Sequence, residues 1–188
     1  MTQIHYKSAF KDITDNDLKE WLRFNHDRLV GSAIFTKQNS LTSKLVRWGE
    51  KHLFAQCKSD NCFTPSHTGS IIDYKDDLYI FDMKPPKASV QPLYDYLRNT
   101  KEDYVLVLRD FPLNIEMFSK NLEFHIGEFY AYLSALRSVF TKRNTKYVRH
   151  CSEMHLRELQ KQNLFTKVNP EITPDELFHL LKKGWEKR

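Results

Sequence analysis

The stretch His67-Thr68-Gly69-Ser70-Ile71-Ile72-Asp73-Tyr74-Lys75-Asp76-Asp77-Leu78-Tyr79-Ile80-Phe81-Asp82-Met83 decides the fold. Its two β-prone runs, His67 to Asp73 and Leu78 to Met83, flank Tyr74-Lys75-Asp76-Asp77, which has the length and polarity of a hairpin connection. They are expected to be adjacent antiparallel strands. Lys84-Pro85-Pro86 stops the second run, since proline brings no N–H to a strand ladder.

Working outward toward the C-terminus, Leu93 to Arg98 reads as a short helix and Asp103 to Arg109 as the clearest strand, closed by Phe111-Pro112. Apolar residues at Ile126, Phe129, Tyr130, Leu133, Leu136 and Phe140 predict a long amphipathic helix whose aromatic side chains pack in the core, ended by the basic segment Thr141 to Lys146. A further helical segment starts at Cys151, and Thr173-Pro174-Asp175-Glu176 opens a C-terminal helix with proline in its first turn. On the N-terminal side, Thr14, Asp17, Leu18, Trp21, Leu22 and Leu29 predict a capped helix from Thr14 to Arg28, turned at Gly31. Ala33 to Thr36 is a short strand, Leu41, Leu45, Val46 and Trp48 predict a second helix, and Ala55 to Pro65 is a polar loop. The fold class is α+β, with a small antiparallel sheet packed against helices.

The 188 residues suffice for one domain with its own core, and 40% hydrophobic with 28% charged residues excludes a disordered or fibrous chain. The balance of 29 Lys and Arg against 24 Asp and Glu, 29 − 24 = +5, permits an anionic partner without requiring one. Three cysteines is an odd number, and neither a charged-then-apolar leader nor an apolar run of about 18 residues is present. Free thiols in a reducing compartment, the cytoplasm, and no transmembrane segment are the expectation.

The chemistry gathers around Cys151. Tyr147 to Leu156 reads as a loop or strand entering a helix, which puts the thiol at a helix N-terminus where the dipole and free N–H groups favour a thiolate. A lone cysteine is more often a small buried hydrophobe, so a base is needed to change that reading. His67 sits at a strand mouth after Pro65-Ser66, and Asp82 lies on the neighbouring run. A carboxylate there can orient one imidazole nitrogen and leave the other for the thiol, the nucleophile, base and orienter of a cysteine hydrolase. His155, four residues after Cys151 on the same helix face, is an alternative imidazole; His67 is preferred because it leaves the helix N-terminus clear.

These segments, in this order, resemble the circularly permuted papain-like amidohydrolases, the YiiX-like branch of the NlpC-type cysteine peptidases. The resemblance is carried by Gly31 to Phe35 with Ser40 to Trp48, by Pro65-Ser66-His67-Thr68-Gly69, by Leu78 to Met83, by Tyr104 to Arg109, and by His150-Cys151-Ser152-Glu153-Met154, with Ile172 to Leu177 similar to the closing Thr-Pro helix. It covers about Gly31 to about Leu181. It implies an NlpC-type fold over residues 31–188, preceded by an N-terminal helical extension, residues 1–30. It further implies Cys151 as nucleophile, His67 as base and Asp82 as orienter, acting on an amide or acyl-ester bond of a peptide, isopeptide, muropeptide or acyl lipid, with no cofactor. The chain departs from the family pattern at Ser32 (Asp in relatives), His150 (aromatic) and Asp82 (commonly Glu).

Two other readings use the same residues. His52, Cys57, Cys62 and His67 recur every five residues and invite a zinc site, although paired zinc ligands are ordinarily two to four residues apart. Lys142-Arg143-Asn144-Thr145-Lys146 with Arg149, and Lys182-Lys183 through Lys187-Arg188, invite nucleic acid, but no recognition motif accompanies them and basic residues suit helix C-termini. Together they define a non-enzymatic alternative, a small basic binding module.

Overall fold

Alternating apolar side chains build the centre of the molecule. The computed structural model describes residues 3–38, 44, 48, 63–84, 86–129 and 151–183. Its elements are β1 (Ile4–Tyr6), α1 (Ser8–Lys11), α2 (Asp15–Phe24), α3 (His26–Leu29), β2 (Ala33–Lys37), β3 (His67–Tyr74), β4 (Asp77–Met83), β5 (Ala88–Pro92), α4 (Leu93–Asn99), β6 (Asp103–Val107), α5 (Ile115–Glu123), α6 (Cys151–Gln160) and α7 (Pro174–Lys182). The strands form one six-stranded antiparallel sheet in the order β1-β6-β2-β3-β4-β5.

The hairpin that opened the sequence reading forms the middle of this sheet, with a tighter turn than its composition suggests. Lys75 and Asp76 both lie in the left-handed region, at φ +55° and +61°, so two residues make the connection. That is the turn whose twist matches a right-twisted strand pair.

Register decides which side chains share a face. Ile34 lies opposite Gly69 and Leu106, and Gly69 lies opposite Asp82; by the two-residue period Tyr104, His67, Ile71 and Ile80 belong to that face as well. It is covered from the N-terminal side and by α4, with Phe10 stacked on Tyr104 at 6.3 Å and Tyr96 at 6.1 Å from the same ring. Ala33, Phe35, Thr68, Ser70, Val105 and Val107 form the other face. Phe178 of α7 meets Phe35 edge-on at 5.2 Å, and Phe118 of α5 packs on His155 of α6. Leu18, Leu29, Ile34, Phe35, Ile71, Ile72, Val105 and Leu106 are fully buried, each contributing about 1.5–3 kcal/mol of apolar transfer.

Several elements differ from their sequence reading. The expected helix from Thr14 to Arg28 has its Thr14 cap but breaks at Asn25, whose side chain donates to the Trp21 carbonyl at 2.8 Å. β1, β5 and α5 were not foreseen. The helix expected from Ile126 does not begin there: Gly127 adopts φ +89° and Phe129 bridges to Lys87. Phe129 is consequently exposed rather than in the core; the rest of that expected helix lies outside the described residues. So does the 55–62 part of the polar loop, and of the expected second helix only Lys44 and Trp48 are described, both helical. No helix among the described residues is long and apolar enough to cross a membrane.

Candidate active site

Two strands and one helix assemble the site. In the β3–β4 ladder Gly69 stands opposite Asp82, and His67 is two positions earlier on the same face. Diagonal neighbours across a sheet are roughly 7–8 Å apart, a span that an imidazole and a short carboxylate close between them. They do so here: His67 Nε2 is hydrogen-bonded to Asp82 Oδ1. Gly69 leaves the space between the strands to Ile80, since a Cβ built on the glycine would stand 2.7 Å from Ile80 Cγ1 and closer still to Cδ1.

Cys151 comes from the first turn of α6 and is hydrogen-bonded to His67. With Nε2 committed to Asp82, Nδ1 is the ring nitrogen left for the thiol. The helix that carries Cys151 is pinned at two further points. Ser152 Oγ donates to the Ile172 carbonyl at 2.5 Å, and His155 Nδ1 lies 2.8 Å from Ser70 Oγ. Because Ser70 and His67 fall on opposite faces of the sheet, α6 packs beneath one face and meets His67 where β3 begins. The three side chains therefore meet at the start of β3.

Cys151, His67 and Asp82 are each no more than 6% exposed, and burial dominates their electrostatics. For His67 burial is the largest single influence and opposes the charged ring. The Asp82 charge, the Cys151 sulfur and hydrogen bonds to both together outweigh it and raise the His67 pKa to about 10. Burial likewise pushes the Asp82 carboxyl up, but the His67 charge and hydrogen bond, joined by Lys84, hold it below its ordinary value. Lys84 Nζ is 2.7 Å from Asp82 Oδ2. An imidazolium beside a thiol favours the thiolate, so this arrangement can supply a nucleophile, a proton donor and an orienting carboxylate.

His155 is the wrong imidazole for this task. Its ring turns to Ser70, and burial pushes its pKa down to about 3, leaving it a weak base. The structure thus brings together all three sequence-selected residues and turns Nδ1 of the other histidine to Ser70. Lys84 escaped the sequence reading, although its signal was there: two residues beyond Asp82 means the same face, and the following Pro85 favours extended backbone.

No protein-family model and no curated protein matches the chain.

The alternative readings find less to build on. His52, Cys57 and Cys62 lie outside the described residues, while His67 is engaged by Asp82 and Cys151. Lys142 to Lys146, Arg149 and Lys187-Arg188 also lie outside them, as does His150. Lys182, at the end of α7, lays its ammonium over the Phe178 ring at 5.7 Å.

Proposed function

We propose that the protein is a cysteine-dependent hydrolase or acyltransferase acting at an amide or acyl-ester carbonyl. One observation supports this above all others: a single buried imidazole, His67, is hydrogen-bonded to a thiol and a carboxylate at once.

In the proposed reaction Cys151 Sγ attacks the carbonyl carbon and the carbonyl electron pair moves onto oxygen, where the Cys151 backbone N–H contributes to an oxyanion site. As the tetrahedral intermediate collapses, His67 gives its proton to the leaving nitrogen or oxygen, that bond breaks, and a thioester remains. Neutral His67 then takes a proton from water or from an acceptor amine or alcohol as it attacks the thioester. Collapse of the second tetrahedral intermediate expels the Cys151 thiolate and restores the thiolate–imidazolium pair, and Asp82 holds the ring throughout.

The permuted papain-like, NlpC-type fold is part of the same proposal. Its support is the chain order His67, Asp82, Cys151 on two adjacent antiparallel strands and a following helix. A peptide, muropeptide or acyl-lipid substrate is the class that this resemblance implies, and a reducing compartment such as the cytoplasm keeps the thiol available. A thiol-acylating activity probe, followed by a panel of peptides, isopeptides and acyl lipids, tests the reading. Labelling of the native protein and not of Cys151→Ser is expected; equal labelling of both would reject it.

A further inference from the structure

We propose that Lys84 is a positioning residue of the Cys151–His67–Asp82 site, a fourth member that fixes the second oxygen of Asp82. The inference rests on the hydrolase reading given above and adds to it a residue that acts through Asp82. Asp82 presents two oxygens in a side chain that is 4% exposed; one faces His67 and the other lies 2.7 Å from Lys84 Nζ. A buried carboxylate with one oxygen unpartnered is free to rotate away from the ring or to take up a proton. Lys84 removes both options.

The backbone delivers Lys84 to this place. The register that sets Gly69 opposite Asp82, continued by two residues, brings Lys84 opposite His67. Its ammonium lies 5.9 Å from the Tyr96 ring centroid, and its side chain remains 29% exposed. Among the described residues the charged and titratable groups facing Asp82 are His67 from β3, Lys84 just after β4 and Tyr96 from α4, with Cys151 beyond His67. Signs alternate along the row, from thiolate to imidazolium to carboxylate to ammonium, and its last member reaches solvent.

Removing the fixed positive charge raises the pKa of every group that feels it, Cys151 included. The test is the pH profile of Cys151 alkylation by iodoacetamide, read by mass spectrometry, in native protein, Lys84→Met, Lys84→Gln, Lys84→Arg and His67→Gln. Expected is an acid limb about one pH unit higher in Lys84→Met and Lys84→Gln, with alkylation on that limb slowed about tenfold, and a native-like limb in Lys84→Arg. A purely structural lysine would alter thermal stability and leave the limb in place. Superimposable profiles for native protein and either neutral variant overturn the proposal, and Lys84→Gln, which keeps a donor, decides the matter if Lys84→Met does not fold. An ordinary thiol profile in native protein, unchanged in His67→Gln, overturns the hydrolase reading itself.

Discussion

At the scale of single residues, the property that would separate Cys151 from an inert buried thiol, under the proposed function, is the proton on His67. An ordinary thiol with a pKa of about 8.5 is about 1% ionised at pH 6.5, and under the proposed hydrolase function the His67 imidazolium favours the Cys151 thiolate. Replacing His67 by Gln is therefore expected to slow alkylation at pH 6.5 by about 10²-fold, and Asp82→Asn to lower turnover by about 10²–10⁴-fold through loss of the ring's orientation. Rates measured on both variants check this, and a His67→Gln thiol as reactive as the native one would remove the pair from the mechanism. The same proton carries a stability signature. The folded His67 pKa, raised to about 10, lies above the unfolded value of 6.5, so its contribution is fully present below about pH 6.5 and is lost as pH rises through about 10. Asp82 behaves oppositely: its folded value is depressed from 3.8, and its contribution disappears as pH falls through the folded value. Urea midpoints are expected to decline between about pH 8.5 and pH 10 in native protein, where the unfolded chain has lost the protons of both His67 and Cys151 while the folded ring keeps its own, with a flatter slope in His67→Gln.

At the scale of elements, two backbone positions in the hairpin set its register. Lys75 and Asp76 hold left-handed conformations that cost an L-residue roughly 1–2 kcal/mol. Asp76→Gly is therefore expected to stabilise the protein by about 1 kcal/mol, seen as a higher urea midpoint at unchanged slope. Gly69 has the reverse logic. A methyl there collides with Ile80, and overpacking of this kind costs about 1–3 kcal/mol. Gly69→Ala should destabilise by that amount, and combining it with Ile80→Ala should cost less than the sum of the two single changes; strict additivity would show that the two sites do not touch. What the sequence made legible follows from the same physics. β2, β3, β4 and β6 pair on both sides and carry runs of buried β-prone residues, and α7 carries a complete capping box from Thr173 to Glu176 with proline at its first turn. β1 and β5 are edge strands: β1 has only three residues, and β5, as long as β2 and β6, is of mixed polarity, mostly half-buried or exposed, and ends in proline. Cys151, His67 and Asp82 were selected from residue type, the expected pairing of two strands and the family resemblance, and the structure places His67 against both of the others. The Ser70–His155 bond was not legible, since it depends on which face of a strand meets which helix, whereas the Lys84 contact follows from the two-residue period along one chain segment.

At the scale of the molecule, the first thirty residues are joined to the rest by the sheet itself. β1 pairs with β6 from Ile4 to Tyr6, and Lys7 Nζ donates to the carbonyls of Thr100 and Glu102 at 2.9 Å. Arg98 of α4 returns the connection, donating to the carbonyls of Phe10 and Ile13 and pairing with Asp15 at 2.9 Å. Phe10, Leu18, Leu22 and Leu29 are buried, and removing them would bare the sheet face that holds Tyr104 and Leu106. Losing four such side chains forfeits about 6–12 kcal/mol of transfer free energy at about 1.5–3 kcal/mol each, against a total stability of only about 5–15 kcal/mol for a domain. It would also open the β6 edge, an invitation to strand pairing between molecules. A chain beginning at Gly31 keeps Cys151, His67 and Asp82, so the proposed chemistry alone would survive in it; with the buried side chains of residues 1–30 gone it is expected to lose its cooperative urea transition and to associate. Near-ultraviolet circular dichroism and sedimentation of that truncated chain decide between these outcomes. A monomeric, cooperatively unfolding product would mean that residues 1–30 are an extension after all, and that the core over residues 31–188 is sufficient without them.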